Sequence, residues 1–294
     1  MPERKEQAIK KEIFWKRLDH KMIGLDWIAQ QEYLGRGFIL GRTQDEKDFA
    51  AYFVTGRSPP SRQRKFVELK DGTVKTLPTN LKAPIDPEMP LSEEAKQEIK
   101  AKGGNPSLLI YNALRGNNGR LVVSNGAQTD LISNNIVLGH LPVVDLLYPM
   151  ASPFFVDDID LTKFEPDAPN YTSRITGVIS KDSGAIAIVR NTRLEAERSF
   201  FDFNLTSGFG KFVSTYTGQN VPKGVTIPSF QGEPLDFLVE GNTLADIARN
   251  LYDSLGPKTG NEYLSPGEDF RVGVAAAYLP KVEEKLKPCI INRG

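Results

Sequence analysis

Two pairs of apolar runs, each folded back across a short polar turn, constrain this chain more than any other feature. YLGRGFILGR (33–42) and FAAYFVTGRS (49–58) flank a turn made of TQDEKD, and FVELKDGTVKTL (66–77) alternates apolar and polar residues around Asp71-Gly72. Strands joined by so few residues run antiparallel, because a parallel pair needs a crossover of about a dozen residues or more. Further strand-like runs fall at 107–115, 119–124, 175–180, 185–191, 198–204, 210–217 and 270–279. Helical spacing is confined to a few places. Residues 3–30 carry Ile9, Ile13, Phe14, Leu18, Met22 and Ile23 on one stripe, and SEEAKQEIKA ends in Gly103-Gly104. A helix is expected over about 129–148, capped by Thr129 or Asp130, and another over 243–255, capped by Thr243. Hairpin pairs with scattered helices make an α+β fold dominated by antiparallel sheet, not a doubly wound one. The expected organisation is a helical extension over 1–30 and one body over 31–294. The Pro- and Lys-rich stretch 77–105 reads as a surface excursion. The stripe of the extension would dock on the body or on a neighbouring subunit of a homo-oligomer.

Charge and cysteine usage narrow the function classes. Lys plus Arg number 37 and Asp plus Glu also 37, so the chain lacks the basic excess of a general nucleic-acid or membrane-surface binder. Cys289 is the single cysteine, which excludes a disulfide within the chain and points to a cytoplasmic setting. No apolar run approaches the roughly 20 residues of a membrane span. His20 and His140 are the only histidines, and no spacing fits a zinc site, a GxSxG elbow or a phosphate-binding glycine loop.

The chemistry must then come from Tyr, Arg, Asn, hydroxyls and carboxylates, and these cluster at strand ends. GRSPPSRQRK (56–65) offers Arg57, Ser58, Ser61, Arg62, Arg64 and Lys65 to a phosphate or carboxylate, or is a solvated basic loop. In YNALR (111–115), strand alternation puts Tyr111, Ala113 and Arg115 on one face, with Asn112 and Leu114 on the other. SNGAQTD (124–130) reads as a turn and helix cap, though a helix start also attracts anions. FEPDAPNYTSR (164–174) holds Glu165, Asp167, Asn170, Tyr171 and Arg174, either an acid–base site or an ordinary polar loop.

Taken in order, YLGRGFILGRT, GRSPPSR, YNALR, VVSNGAQTD, APNYTSRITGVI, FVSTYTG and PSFQGEP resemble the archaeal-type IMP cyclohydrolase family from about residue 33 to 234. That resemblance implies a four-layer αββα fold like that of N-terminal-nucleophile hydrolases, used without the nucleophile. It implies closure of 5-formamidoimidazole-4-carboxamide ribonucleotide to IMP with loss of water, with no cofactor and no metal. It makes Tyr111 the donor to the formyl oxygen and Glu165 the proton mover, with Asn112 and Arg115 orienting the substrate. Arg57, Ser58 and Arg62 would anchor the phosphate. Asn125, Thr129, Asp130 and Arg174 would hold ribose, base or a second side of the phosphate. Two other readings stand beside it: an amide hydrolase of the N-terminal-nucleophile class, and a non-catalytic purine-nucleotide-binding protein of the same fold. The first needs a Cys, Ser or Thr opening the first body strand, and none is there.

Overall fold

Strands β1 (Arg36–Arg42) and β2 (Asp48–Thr55) form the first expected hairpin, paired antiparallel from Arg36↔Val54 to Arg42↔Asp48. The computed structural model describes residues 22–192, 195–222, 224–257 and 267–294. Both strands are buried along almost their whole length, which requires cover on both faces. Alternation sorts their side chains accordingly. Phe38, Leu40, Ala50, Tyr52 and Val54 face one core, while Ile39, Phe49, Ala51 and Phe53 face another.

The second face is covered by α7 (Leu244–Ser254), which packs Ile247, Ala248, Leu251 and Tyr252 onto the sheet. Thr243 caps it in a reciprocal capping box with Asp246, as the sequence predicts. The sheet itself has six strands in the order β13 (Leu235–Leu238), β12 (Phe209–Ser214), β1, β2, β14 (Arg271–Tyr278) and β15 (Cys289–Asn292).

Against its first face lies a seven-stranded sheet. Its order is β11 (Ala196–Asn204), β10 (Ser183–Asn191), β9 (Arg174–Ser180), β6 (Arg120–Ser124), β5 (Asn112–Asn117), β4 (Val74–Pro78) and β3 (Arg64–Glu68). Every pairing between these strands is antiparallel. The core between the sheets joins Phe38, Tyr52 and Val213 from one to Ala113, Leu121, Ile175 and Ile188 from the other. On the outer side of the seven-stranded sheet, Ile132, Leu146 and Met150 pack on Val122, Val178 and Ala187.

Several expectations are corrected. The helix expected over 129–148 is two, α5 (Gln128–Asn134) and α6 (Pro142–Met150), because Gly139 falls between them and Pro142 opens the second. Neither Thr129 nor Asp130 caps α5; its N-cap is Ala127, without a side-chain bond. The strand expected from 107 begins only at Asn112, since Asn105 and Pro106 open a helical turn, α4 (Pro106–Leu109). Strands β13 and β15 and a small hairpin, β7 (Phe155–Val156) with β8 (Ile159–Asp160), had no clear pattern in the sequence. Of the helix expected over 3–30, residues 1–21 lie outside the described residues. The remainder contains α1 (Leu25–Ala29), and Ile23 just before it pairs with Phe237 beside β13.

Within the 77–105 stretch, α3 (Glu93–Ala101) is capped by Ser92 and followed by Gly103 at φ +76°. In α2 (Pro59–Arg62), Ser58 is the cap and two prolines open the turn.

Candidate active site

The site is built where β1 and β2 meet the loop that enters β9. Arg36 opens β1, and its side chain crosses toward the second sheet. Its Nη1 donates to the Asn125 carbonyl at 2.7 Å and to Glu165 Oε1 at 2.9 Å, while Nη2 donates to Glu165 Oε2 at 2.5 Å. Both residues are buried. Burial disfavours the guanidinium charge, but Glu165 more than offsets this and holds the Arg36 pKa well above its ordinary value.

Arg174, at the start of β9, is a second buried cation on the same carboxylate, with Nη1 3.8 Å from Glu165 Oε1. It donates to Gln128 Oε1 at 3.0 Å, and its Nε has no partner. Burial lowers its pKa. Gly126 leaves room here, because a Cβ would press on Gln128 Oε1 and Arg174 Nη1 and one of them would have to shift. Asn125 serves the same frame: Nδ2 donates to the Ser173 carbonyl, and Oδ1 accepts from Gln128 Nε2 and the Ile175 N–H.

Above Arg36 and Glu165 opens a cleft of about 430 Å³. Arg57, Ser58 and Arg64 line one side. Arg57 donates to the Val221 carbonyl at 2.7 Å and lies over the Tyr33 ring. Arg64 is buried, donates from Nε to the Ser61 carbonyl, and leaves Nη1 unpartnered. Gly103, Gly104, Asn105, Leu108 and Leu109 form another wall, so the 77–105 stretch returns to the cleft rim. Arg62, by contrast, is not among the lining residues. It bonds Glu268 at 2.5 Å and the Gly56 and Arg57 carbonyls, with its guanidinium over Phe270.

The opposite side is the turn 165–172. Glu165 N–H donates to the Thr172 carbonyl at 2.8 Å. Asp167 accepts from the Thr172 N–H at 2.6 Å and lies 2.5 Å from the Thr172 hydroxyl, which is in turn 2.7 Å from the Tyr216 hydroxyl. Tyr216 stacks on Tyr33 at 5.6 Å. Burial, and then the Glu165 charge, raise the Asp167 pKa; burial and Tyr33 raise that of Tyr216.

Tyr111 lies behind this frame, buried between the sheets, with its hydroxyl 2.8 Å from that of Tyr52. The Arg36 charge interacts with both phenols. Asn112 and Arg115 do not join it. Asn112 Nδ2 donates to both Asp130 oxygens at 2.9 and 3.0 Å, and Arg115 Nη1 donates to Asp130 Oδ1 at 3.0 Å and Asn134 Oδ1 at 2.9 Å. The expectation that Arg115 shares the face of Tyr111 fails at a β-bulge. Asn112 pairs with Lys75 and Leu114 with Val74, so Ala113 is an extra residue and the alternation shifts by one. Thr129 is also internal, its hydroxyl 2.5 Å from Ser124 Oγ and 3.2 Å from the Gly126 carbonyl.

The structure thus gathers Arg57, Ser58 and Glu165 at the cleft, Asn125, Arg174 and Tyr111 around its base, and Asn112, Arg115, Thr129 and Asp130 elsewhere. Sequence reasoning missed Tyr33, Arg36, Thr172 and Tyr216, and named Arg64 and Asp167 without selecting them. A readable signal for Arg36 was a cation in the first apolar strand run, where a charge needs a partner. Among the described residues no three His, Cys, Asp or Glu side chains are grouped to hold a metal ion.

Comparison with known proteins identifies this frame. A family model described as IMP cyclohydrolase-like protein matches residues 33–260. An IMP cyclohydrolase of Methanococcus maripaludis (strain C7) is 29% identical over 222 residues, covering 75% of this chain and 88% of the relative. That of Methanocaldococcus jannaschii is 25% identical over 216 residues, covering 74% and 84%. The match begins at Tyr33 on the cleft wall and takes in Arg36, the basic loop, Tyr111, the 165–172 turn and Tyr216: the chain belongs to the IMP cyclohydrolase-like family.

Proposed function

We propose that the cleft binds 5-formamidoimidazole-4-carboxamide ribonucleotide and closes its second ring to give IMP and water. The observation that carries this is the Arg36–Glu165 pair at the base of a nucleotide-sized cleft whose rim is cationic. The substrate supplies an anion and an electron-rich carbonyl, and the site supplies a partner for each. Arg57, Ser58 and Arg64 hold the phosphate by charge-assisted hydrogen bonds. On this reading the anchor includes Arg64, which lines the cleft, and not Arg62, which does not.

Ring closure needs the carboxamide nitrogen held against the formyl carbon, and a donor for the oxygen that gains charge. Arg36 and the Tyr111 phenol are the donors. Glu165 keeps the Arg36 guanidinium in one plane and one position, so the donor costs little reorganisation as charge develops. Glu165 accepts an Arg36 N–H on each oxygen, and on this reading its role is to orient that cation.

The wider architecture supports the same reading. Helix α7 on one outer side and α5 and α6 on the other agree with a four-layer αββα arrangement of the N-terminal-nucleophile-hydrolase type. No helix among the described residues is long and apolar enough to cross a membrane. The test is direct: purified protein is incubated with the formamido ribonucleotide in metal-free buffer and purine formation is followed. Product at the uncatalysed rate would reject the reading.

A further inference from the structure

We propose that Asp167, acting through the hydroxyls of Thr172 and Tyr216, supplies the proton with which the formyl oxygen departs as water. The proposal rests on the cyclohydrolase reading of the cleft.

Two acidic side chains line that cleft, Glu165 and Asp167. Glu165 accepts one Arg36 N–H on each oxygen, which fixes it as the anionic partner of that guanidinium. Asp167 stands in the opposite environment. It is half-buried, it meets the Glu165 charge, and the charges of Arg36 and Arg174 and the Tyr216 phenol also bear on it. One carboxyl is held in a bidentate ion pair. The other, its pKa raised by burial and by that neighbour's charge, stands at the end of a hydroxyl row, which divides an anionic from an acidic partner. Here the acidic partner is Asp167.

A hydrogen-bonded row leads from it to a phenol on the same cleft lining. Asp167 Oδ2 lies 2.5 Å from Thr172 Oγ1, and Thr172 Oγ1 lies 2.7 Å from the hydroxyl of Tyr216, a residue of the cleft lining. Each oxygen can donate and accept, so one proton passes along the row without any heavy atom moving. Tyr216 keeps its proton at ordinary pH, because burial raises its pKa.

The step balances. The carboxamide nitrogen bonds to the formyl carbon as the C=O π pair moves to oxygen, and one proton of that nitrogen passes to the oxygen, leaving a carbon that bears a hydroxyl. The C–O bond breaks with its electron pair going to oxygen, and the Tyr216 proton completes water. The lone pair of the adjacent ring nitrogen forms the C=N bond, and that nitrogen releases its proton. Asp167 reprotonates Tyr216 through Thr172, and the nitrogen's proton restores Asp167, so no acid is consumed overall.

The test compares steady-state rates of the full chain over pH about 5 to 9 for wild type, Asp167→Asn, Thr172→Val and Thr172→Ser. For wild type, kcat should fall as pH rises through the range where Asp167 ionises. Asp167→Asn and Thr172→Val should each lose about 100-fold in kcat, with KM held within about threefold, and should lose that alkaline limb. Thr172→Ser, which keeps the hydroxyl, should retain both rate and limb. Tyr216→Phe interrupts the row at its cleft end and gives an independent reading where a turn variant does not fold. An active wild type with unchanged kcat in Asp167→Asn and Thr172→Val overturns the relay alone, as does a loss confined to KM. A wild type that forms no purine overturns the cyclohydrolase reading and the relay with it.

Discussion

Arg36 and Glu165 meet through two parallel hydrogen bonds of 2.9 and 2.5 Å, and neither side chain is more than 11% exposed. One belongs to the first strand of the six-stranded sheet, the other to the loop that feeds the seven-stranded one. The pair therefore ties the two sheets together at the point where the cleft opens. Removing one member leaves an uncompensated buried charge. Glu165→Ala should lower unfolding free energy by about 3 kcal/mol or more, and Arg36→Met combined with Glu165→Met should recover part of that loss. Denaturant midpoints of the single and double variants check it.

The Tyr52–Tyr111 contact gives a separable effect. Tyr52 is fully buried and its hydroxyl bonds that of Tyr111, so Tyr52→Phe should cost about 1 kcal/mol of stability. Tyr111→Phe removes a proposed donor and should lower kcat by about 100-fold while KM changes little. Kinetics on both variants, with thermal melts, separate the donor from its support.

Phosphate binding distinguishes the arginines of the basic loop. Arg57 and Arg64 line the cleft, whereas Arg62 is engaged with Glu268 and two backbone carbonyls. Arg57→Ala and Arg64→Ala should raise KM by about tenfold or more, the worth of one charged hydrogen bond. Arg62→Ala should leave KM within about threefold. Equal increases for all three would contradict the assignment.

Asp167 also predicts a pH dependence of stability. Its folded-state pKa is raised by burial and by Glu165, so the folded chain binds this proton more tightly than the unfolded one. That contribution is fully present below the unfolded carboxylate pKa and is lost as pH rises through the raised value. Asp167→Asn lacks it, so wild type should lose stability relative to the variant over that window. Parallel urea titrations across pH measure the difference; a constant offset would show that Asp167 is not shifted.

Much of the frame was legible because it depends on neighbours in sequence. The β1–β2 and β3–β4 hairpins follow from apolar runs interrupted by short polar turns, and the Thr243 cap of α7 from a hydroxyl three residues before a carboxylate. The bulge at Ala113 was not legible. It arises from how β5 must meet β4, and it alone moves Arg115 away from Tyr111. Asp130 was expected in the pocket and instead accepts from Asn112 and Arg115, joining β5 to α5.

Composition and pattern by themselves determined an antiparallel α+β chain of balanced charge, with its polar clusters at strand ends, because alternation and turn chemistry act over a few residues. Only the tertiary structure decided which clusters share a site. Arg36 and Glu165 are 129 positions apart, and Thr172 and Tyr216 are 44 apart. The electrostatic partner of a buried charge is chosen by packing in three dimensions, and no local periodicity records that choice.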